Sequence, residues 1–179
     1  RTLSDGTGDG RDDIVMLDDF TLAIQANTNF GYAWLARGYV FMKWCMPQAA
    51  MNDFEEAVRT LPREAEAYIG RAIARSIMSD HGGALADYSK ALELRPDNDK
   101  AYGLRASVKV DLGDYQGALD DTAKAFALNP QAHAAYIPRG WARKALKDYQ
   151  GAREDFEQAI KLDPDNTIVY YQLGTVKWK

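Results

Sequence analysis

Four prolines, Pro62, Pro96, Pro130 and Pro164, follow one another at a constant step of 34 residues. A fixed period of that length marks a chain made of stacked copies of one supersecondary unit, and few architectures tolerate it. The other markers keep the same step. An aromatic recurs at Trp34, Tyr68, Tyr102, Tyr136 and Tyr170, and a small residue at Gly38, Ala72, Ala106, Gly140 and Gly174. Alanine recurs at Ala50, Ala84, Ala118 and Ala152, and again at Ala23, Ala57, Ala91, Ala125 and Ala159. A bulky series, Phe20, Phe54, Tyr88 and Phe156, is broken only by Thr122.

Each unit reads as two helices. Lys100–Leu112 carries no breaker except Gly103, Gly113 and Asp114 turn the chain, and Gln116–Leu128 forms a second helix. In that second helix Ala118, Leu119, Thr122, Ala125, Phe126 and Leu128 lie largely along one stripe at helical spacing. Asn129-Pro130 ends it, because proline lacks an N–H and restricts the residue before it. Asn98 or Asp99, and later Asn166 or Thr167, are the candidate caps of the following helices. One such pair cannot bury its own stripe, so the units must stack. Pro138 falls inside a first helix, which it either bends or forces to begin later with the proline in its first turn. Pro47 fits the start of a second helix.

Composition narrows the function classes. Hydrophobic residues are 46% and charged residues 27% of the 179, which is ordinary for a folded, soluble chain. A net charge of −4 gives no overall pull toward nucleic acid or anionic lipid. The most apolar stretch, Phe30–Met46, is interrupted by Arg37 and Lys43 and falls short of a membrane span. Residue 1 is Arg and no leader opens the chain, which reads as a processed or excised piece and assigns no compartment. Enzyme chemistry finds no foothold. His81 falls in a turn and His133 at a unit boundary, both expected in solvent and neither at metal-ligand spacing. Cys45, the single cysteine, reads as a buried or idle thiol.

The 34-residue period, with its aromatic, small, Ala, bulky and Pro positions, resembles the tetratricopeptide repeat. Four units fit, at 31–64, 65–98, 99–132 and 133–166. Residues 1–12 read as an acidic Gly/Asp loop, 13–30 hold an isolated second helix, and 167–179 an isolated first helix. The resemblance implies an all-α, right-handed superhelical solenoid and a non-catalytic scaffold that holds a partner polypeptide. In the family, positions two, five, nine, twelve and thirteen of each unit face a concave groove. Carried over, these give Tyr32, Leu35, Tyr39 and Met42 in the first unit, and Ile69, Ile73 and Ile77 in the second. The third supplies Lys100 and Ser107, and the fourth Ile137, Trp141 and Lys144. So apolar a wall implies a protein or peptide segment with apolar anchors. The family's clamp for chaperone C-terminal carboxylates is not expected, because its positions hold Leu35, Tyr39, Gly70, Lys100 and Leu104, of which only Lys100 fits. The rival expectation is an internal structural segment, or an assembly subunit that self-associates.

Two departures carry their own expectations. Arginine replaces the family's usual leucine at Arg37, Arg71, Arg105 and Arg139, and aspartate recurs at Asp19, Asp53, Asp87, Asp121 and Asp155. The two series suggest a structural ladder of ion pairs, within a unit (Arg105 with Asp121) or to the preceding one (Arg105 with Asp87). The functional alternative has the arginines gripping an acidic ligand. At the N-terminus, Asp5, Thr7, Asp9, the Arg11 carbonyl and Asp13, with Gly10 at a sharp turn, imitate a calcium loop. Its twelfth position is Met16 rather than Glu. Gly and Asp are equally what a flexible linker and a helix cap would use.

Overall fold

The computed structural model describes residues 10–177, with side chains from Asp13 to Val176. Its helices are α1 (Gly10–Ala26), α2 (Gly31–Lys43), α3 (Pro47–Thr60), α4 (Ala65–Ile77) and α5 (His81–Leu94). They continue with α6 (Asp99–Asp111), α7 (Tyr115–Leu128), α8 (His133–Ala145), α9 (Tyr149–Leu162) and α10 (Thr167–Lys177). The described residues hold no strand. Each helix packs on its neighbour in sequence, and the pairs α2/α3, α4/α5, α6/α7 and α8/α9 are the most intimate. This is an all-α repeat solenoid, in which burial happens between neighbours. Helix α1 begins at Gly10 rather than at residue 13. The turn expected at Gly10 is therefore absent, and Asp13 sits in the first turn of a helix.

The turn inside each pair repeats one backbone device four times, and in three of the four an aspartate also caps the second helix. Beyond α6, Gly113 takes a left-handed backbone with φ 78°, where a side chain would be strained. Its N–H donates to the Val110 carbonyl (2.9 Å), and the Asp114 N–H donates to the Lys109 carbonyl (2.8 Å). This is the Schellman arrangement, which satisfies carbonyls that a helix end leaves open. Asp114 then caps α7 at once by accepting from the Gly117 N–H at 2.9 Å. Asp80 and Asp148 cap α5 and α9 likewise. The left-handed residue in those turns is Ser79 (φ 64°) and Lys147 (φ 68°), and in the first unit it is Cys45 (φ 56°). The Cys45 thiol is accordingly exposed, not buried. Between units, Asn98 and Asn166 supply the caps, accepting from Ala101 (2.9 Å) and Val169 (3.4 Å).

Small residues let the helices approach until one large ring fills the gap. Phe54 is fully buried, and a methyl added at Gly38 or at Gly70 would stand 2.7 or 2.5 Å from its ring. Gly140 holds the same relation to Phe156. The pair α6 and α8 is closer than any other two first helices. A methyl on Gly103 would meet the Ala134 carbonyl group at 2.8 Å. Pro138 explains the second half of that contact. It sits as the sixth residue of α8, not in its first turn. Lacking an N–H, it leaves the Ala134 carbonyl without its usual helical donor. That carbonyl lies against the bare backbone of Gly103.

Candidate functional site

The arginine and aspartate series meet within each unit. Arg37–Asp53, Arg71–Asp87 and Arg105–Asp121 pair at 2.7 Å, and Arg139–Asp155 at 2.6 Å. Nε and Nη2 both donate in each pair, the bidentate fork that suits a guanidinium. Each guanidinium also lies 4.9–5.7 Å from the ring centre of its unit's recurrent aromatic. Toward the preceding unit, Arg37 reaches Thr21 (3.1 Å) and Arg105 reaches Ser89 (3.0 Å) rather than an aspartate. Asp19 is exposed.

A second cation, absent from the sequence reading, completes the cluster in three units. Arg75 approaches Asp87 at 2.7 Å, Lys109 approaches Asp121 at 2.8 Å, and Arg143 approaches Asp155 at 2.9 Å. Each lies four residues after the ladder arginine, one turn along the same face, and that spacing was the available signal. In the first unit the place is taken by Phe41. Burial pushes the Asp121 carboxyl up, but hydrogen bonds and charge from Arg105 and Lys109 outweigh it and hold it below the ordinary carboxylate value. The arginines are thus turned inward, onto carboxylates of their own unit.

The groove residues divide. Tyr32 and Ile77 are exposed, at 53% and 59%, and so is Lys100. Met42, Ile73, Ser107, Ile137, Trp141 and Lys144 are half-buried. Leu35 and Ile69 are corrections: both are buried, at 8% and 3%, in the core. Tyr39 is also largely turned in. Its ring meets Phe54 edge-on at 5.1 Å, and its hydroxyl donates to Glu66 Oε1 at 2.7 Å. Burial first, then the Glu66 carboxylate, raises that phenol above its ordinary value. His81 differs from expectation as well, since it opens α5 half-buried with Nδ1 shielded from solvent.

One recess stands out along the first helices, a cavity of about 540 Å³ between α6 and α8. Ser107, Val110 and Asp111 form one wall, Ile137, Pro138, Trp141, Lys144 and Ala145 the other, and Tyr115 closes the end. Lys144 donates to Gln172 (2.7 Å) and Thr175 (2.8 Å) and stands 5.2 Å from the Trp141 ring centre. Asp111 is exposed at the last residue of α6. The Gly103–Ala134 contact pinches the two helices at their N-terminal halves, and the recess opens beyond it.

Of the calcium-loop residues, Asp5, Thr7 and Asp9 lie outside the described residues. Asp13 is buried and paired with Lys43 at 2.6 Å. Among the described residues no group of three acidic, His or Cys side chains could hold a metal ion. Nor is any described helix long and apolar enough to cross a membrane.

Comparison with known proteins agrees with this geometry. Family models described as TPR repeat and tetratricopeptide repeat match residues 140–179 and 78–133. No curated protein matches the sequence. Among solved structures, the chain is similar to MamA, with a TM-score of 0.74, 20% identity, and coverage of 92% of this chain and 99% of that one. It is similar to YrrB, described as a TPR protein with an unusual peptide-binding site, with a TM-score of 0.70, 19% identity and 90% and 83% coverage. It also resembles the first TPR of Spaghetti (RPAP3), solved with the HSP90 peptide SRMEEVD. There the TM-score is 0.60, the identity 27%, and the coverage 65% of this chain and 92% of that one. The repeat period, the packed helix pairs and both family matches lead to one conclusion: the chain belongs to the tetratricopeptide repeat family.

Proposed function

We propose that this protein–protein interaction module is a non-catalytic scaffold that holds an extended or helical partner segment along its first-helix face through apolar anchors. The observation that carries the reading is the open recess between α6 and α8, lined by Val110, Ile137 and Trp141. Tyr32 of α2 and Ile77 of α4 add exposed apolar side chains on the first helices of the two earlier units. Contiguous apolar surface rimmed by charge is typical of partner contacts. A chaperone C-terminal carboxylate is a poor fit, since Leu35 and Gly70, at two of its clamp positions, are buried. Peptides selected from a random display library against the chain test the reading. Those peptides are expected to carry large apolar residues and to lose binding on Ile73→Glu or Ile77→Glu, but not on Gln116→Glu, which lies on a second helix. Binding indifferent to both groove changes overturns it.

A second reading, self-association, rests on apolar side chains at the two terminal helices. Val15 and Met16 of α1 are 60% and 42% exposed, and Ile168 and Tyr171 of α10 are 67% and 70% exposed. Sedimentation over a range of concentrations tests it, a concentration-independent monomer being the result against it.

A further inference from the structure

The recess between α6 and α8 has a counterpart in the first unit, and there it is filled. Ser107 holds the register position of Tyr39, and Thr122 that of Phe54. In the first unit the Tyr39 ring stands edge-on to Phe54, and in the fourth Trp141 meets Phe156 in the same way at 6.2 Å. In the second, Ile73 packs in one cluster with Tyr88. Only the third unit has a small side chain at both positions, and the cavity of about 540 Å³ lies beside Ser107. The chain therefore carries its own template for an occupant, an aromatic ring laid between two consecutive first helices. The rim carries both charges, Asp111 and Lys144, and they differ in how they are held. Asp111 makes no ion pair among the described residues, whereas Lys144 is engaged by Gln172 and Thr175. Asp111 also ends α6, where the helix dipole adds negative potential.

We propose, resting on the groove reading above, that this recess receives one aromatic side chain of a partner polypeptide, and that Asp111 selects a partner with a basic residue beside that anchor.

Short glycine–serine peptides that carry a single Trp–Lys, Trp–Glu or Ser–Lys pair test both parts, with amide NMR of the labelled chain as the readout. The Trp–Lys peptide is expected to shift the amides of Val110, Ile137 and Trp141 saturably. Trp–Glu is expected to bind about fivefold more weakly, the size of one exposed charge pair. Ser–Lys is expected to leave those amides unmoved. Ser107→Tyr installs the first unit's plug and should abolish the shifts, with an unfolding temperature no lower than that of the parent chain. Ser107→Ile, the second unit's residue, gives the same answer should tyrosine not fit. Asp111→Asn should erase the preference for Trp–Lys over Trp–Glu and keep the Trp requirement. Shifts that persist in both Ser107 variants overturn the recess as the anchor site. If those shifts lie on Tyr32, Ile73 and Ile77, the groove reading survives that failure. If no first-helix amide responds to any peptide, both readings fall.

Discussion

Asp121 shows why the ion-pair ladder belongs to the fold. Its side chain is 2% exposed and faces Arg105 and Lys109, themselves 15% and 19% exposed. Asp121→Asn keeps the shape but leaves two largely buried cations without a counter-charge, and is expected to cost about 3–5 kcal/mol in denaturant unfolding. A double-mutant cycle should find coupling between Arg105 and Asp121 and none between Arg105 and Asp87. The acid limb follows from the same contacts. The folded carboxyl titrates below its unfolded value, so its contribution is complete above the ordinary carboxylate range. It is lost as pH falls below about 4. Asp121→Asn should flatten that limb of the stability curve. A parent chain equally stable at pH 2 and pH 7 would contradict this.

Turn and contact devices repeat from unit to unit, so each helix pair serves as a control for the others. The left-handed turn position is Gly113 in the third unit, but Cys45, Ser79 and Lys147 elsewhere. A side chain in that conformation costs of the order of 1 kcal/mol. Ser79→Gly and Lys147→Gly are each expected to raise stability by up to about 1 kcal/mol, and Gly113→Ala to lower it by a similar amount. Thermal unfolding of the three variants checks the set. Gly103 is held for the opposite reason. Its backbone is helical, but a methyl there meets Ala134 backbone atoms that cannot swing away. Gly103→Val is expected to cost about 1–3 kcal/mol or more by driving α6 from α8. Gly82→Ala, with nothing within 4 Å of the added methyl, should be neutral or slightly stabilising.

The period made the helices, their pairing and the family legible, because identical packing demands identical residues at each step. What it could not disclose lies where units differ. Position in the unit points Leu35 and Ile69 to the groove, yet neighbouring helices cover them. The recess lies beside the small side chain of Ser107, where Gly103 and Pro138 bring α6 and α8 together, and no single-residue pattern states that combination. Arg75, Lys109 and Arg143 were readable at four residues from the ladder arginines, but their partner is reached through the fold. The same nearest-neighbour construction sets how damage should spread. Phe156 touches α8 through Gly140 and Trp141, and its cluster contains Val169 and Val176 of α10. The Phe54 cluster is separate, confined to α2, α3 and α4. Phe156→Ala removes about 3–5 kcal/mol of local packing. In a stack whose stability is a sum over neighbours, that loss should stay at one end. Hydrogen exchange is expected to speed up across α8, α9 and α10 while α2 to α5 keep their protection. Phe54→Ala should give the mirror image, with α8 and α9 unchanged. Equal loss of protection along the chain in either variant would mean a single cooperative core, and the additive account of the stack would have to be given up.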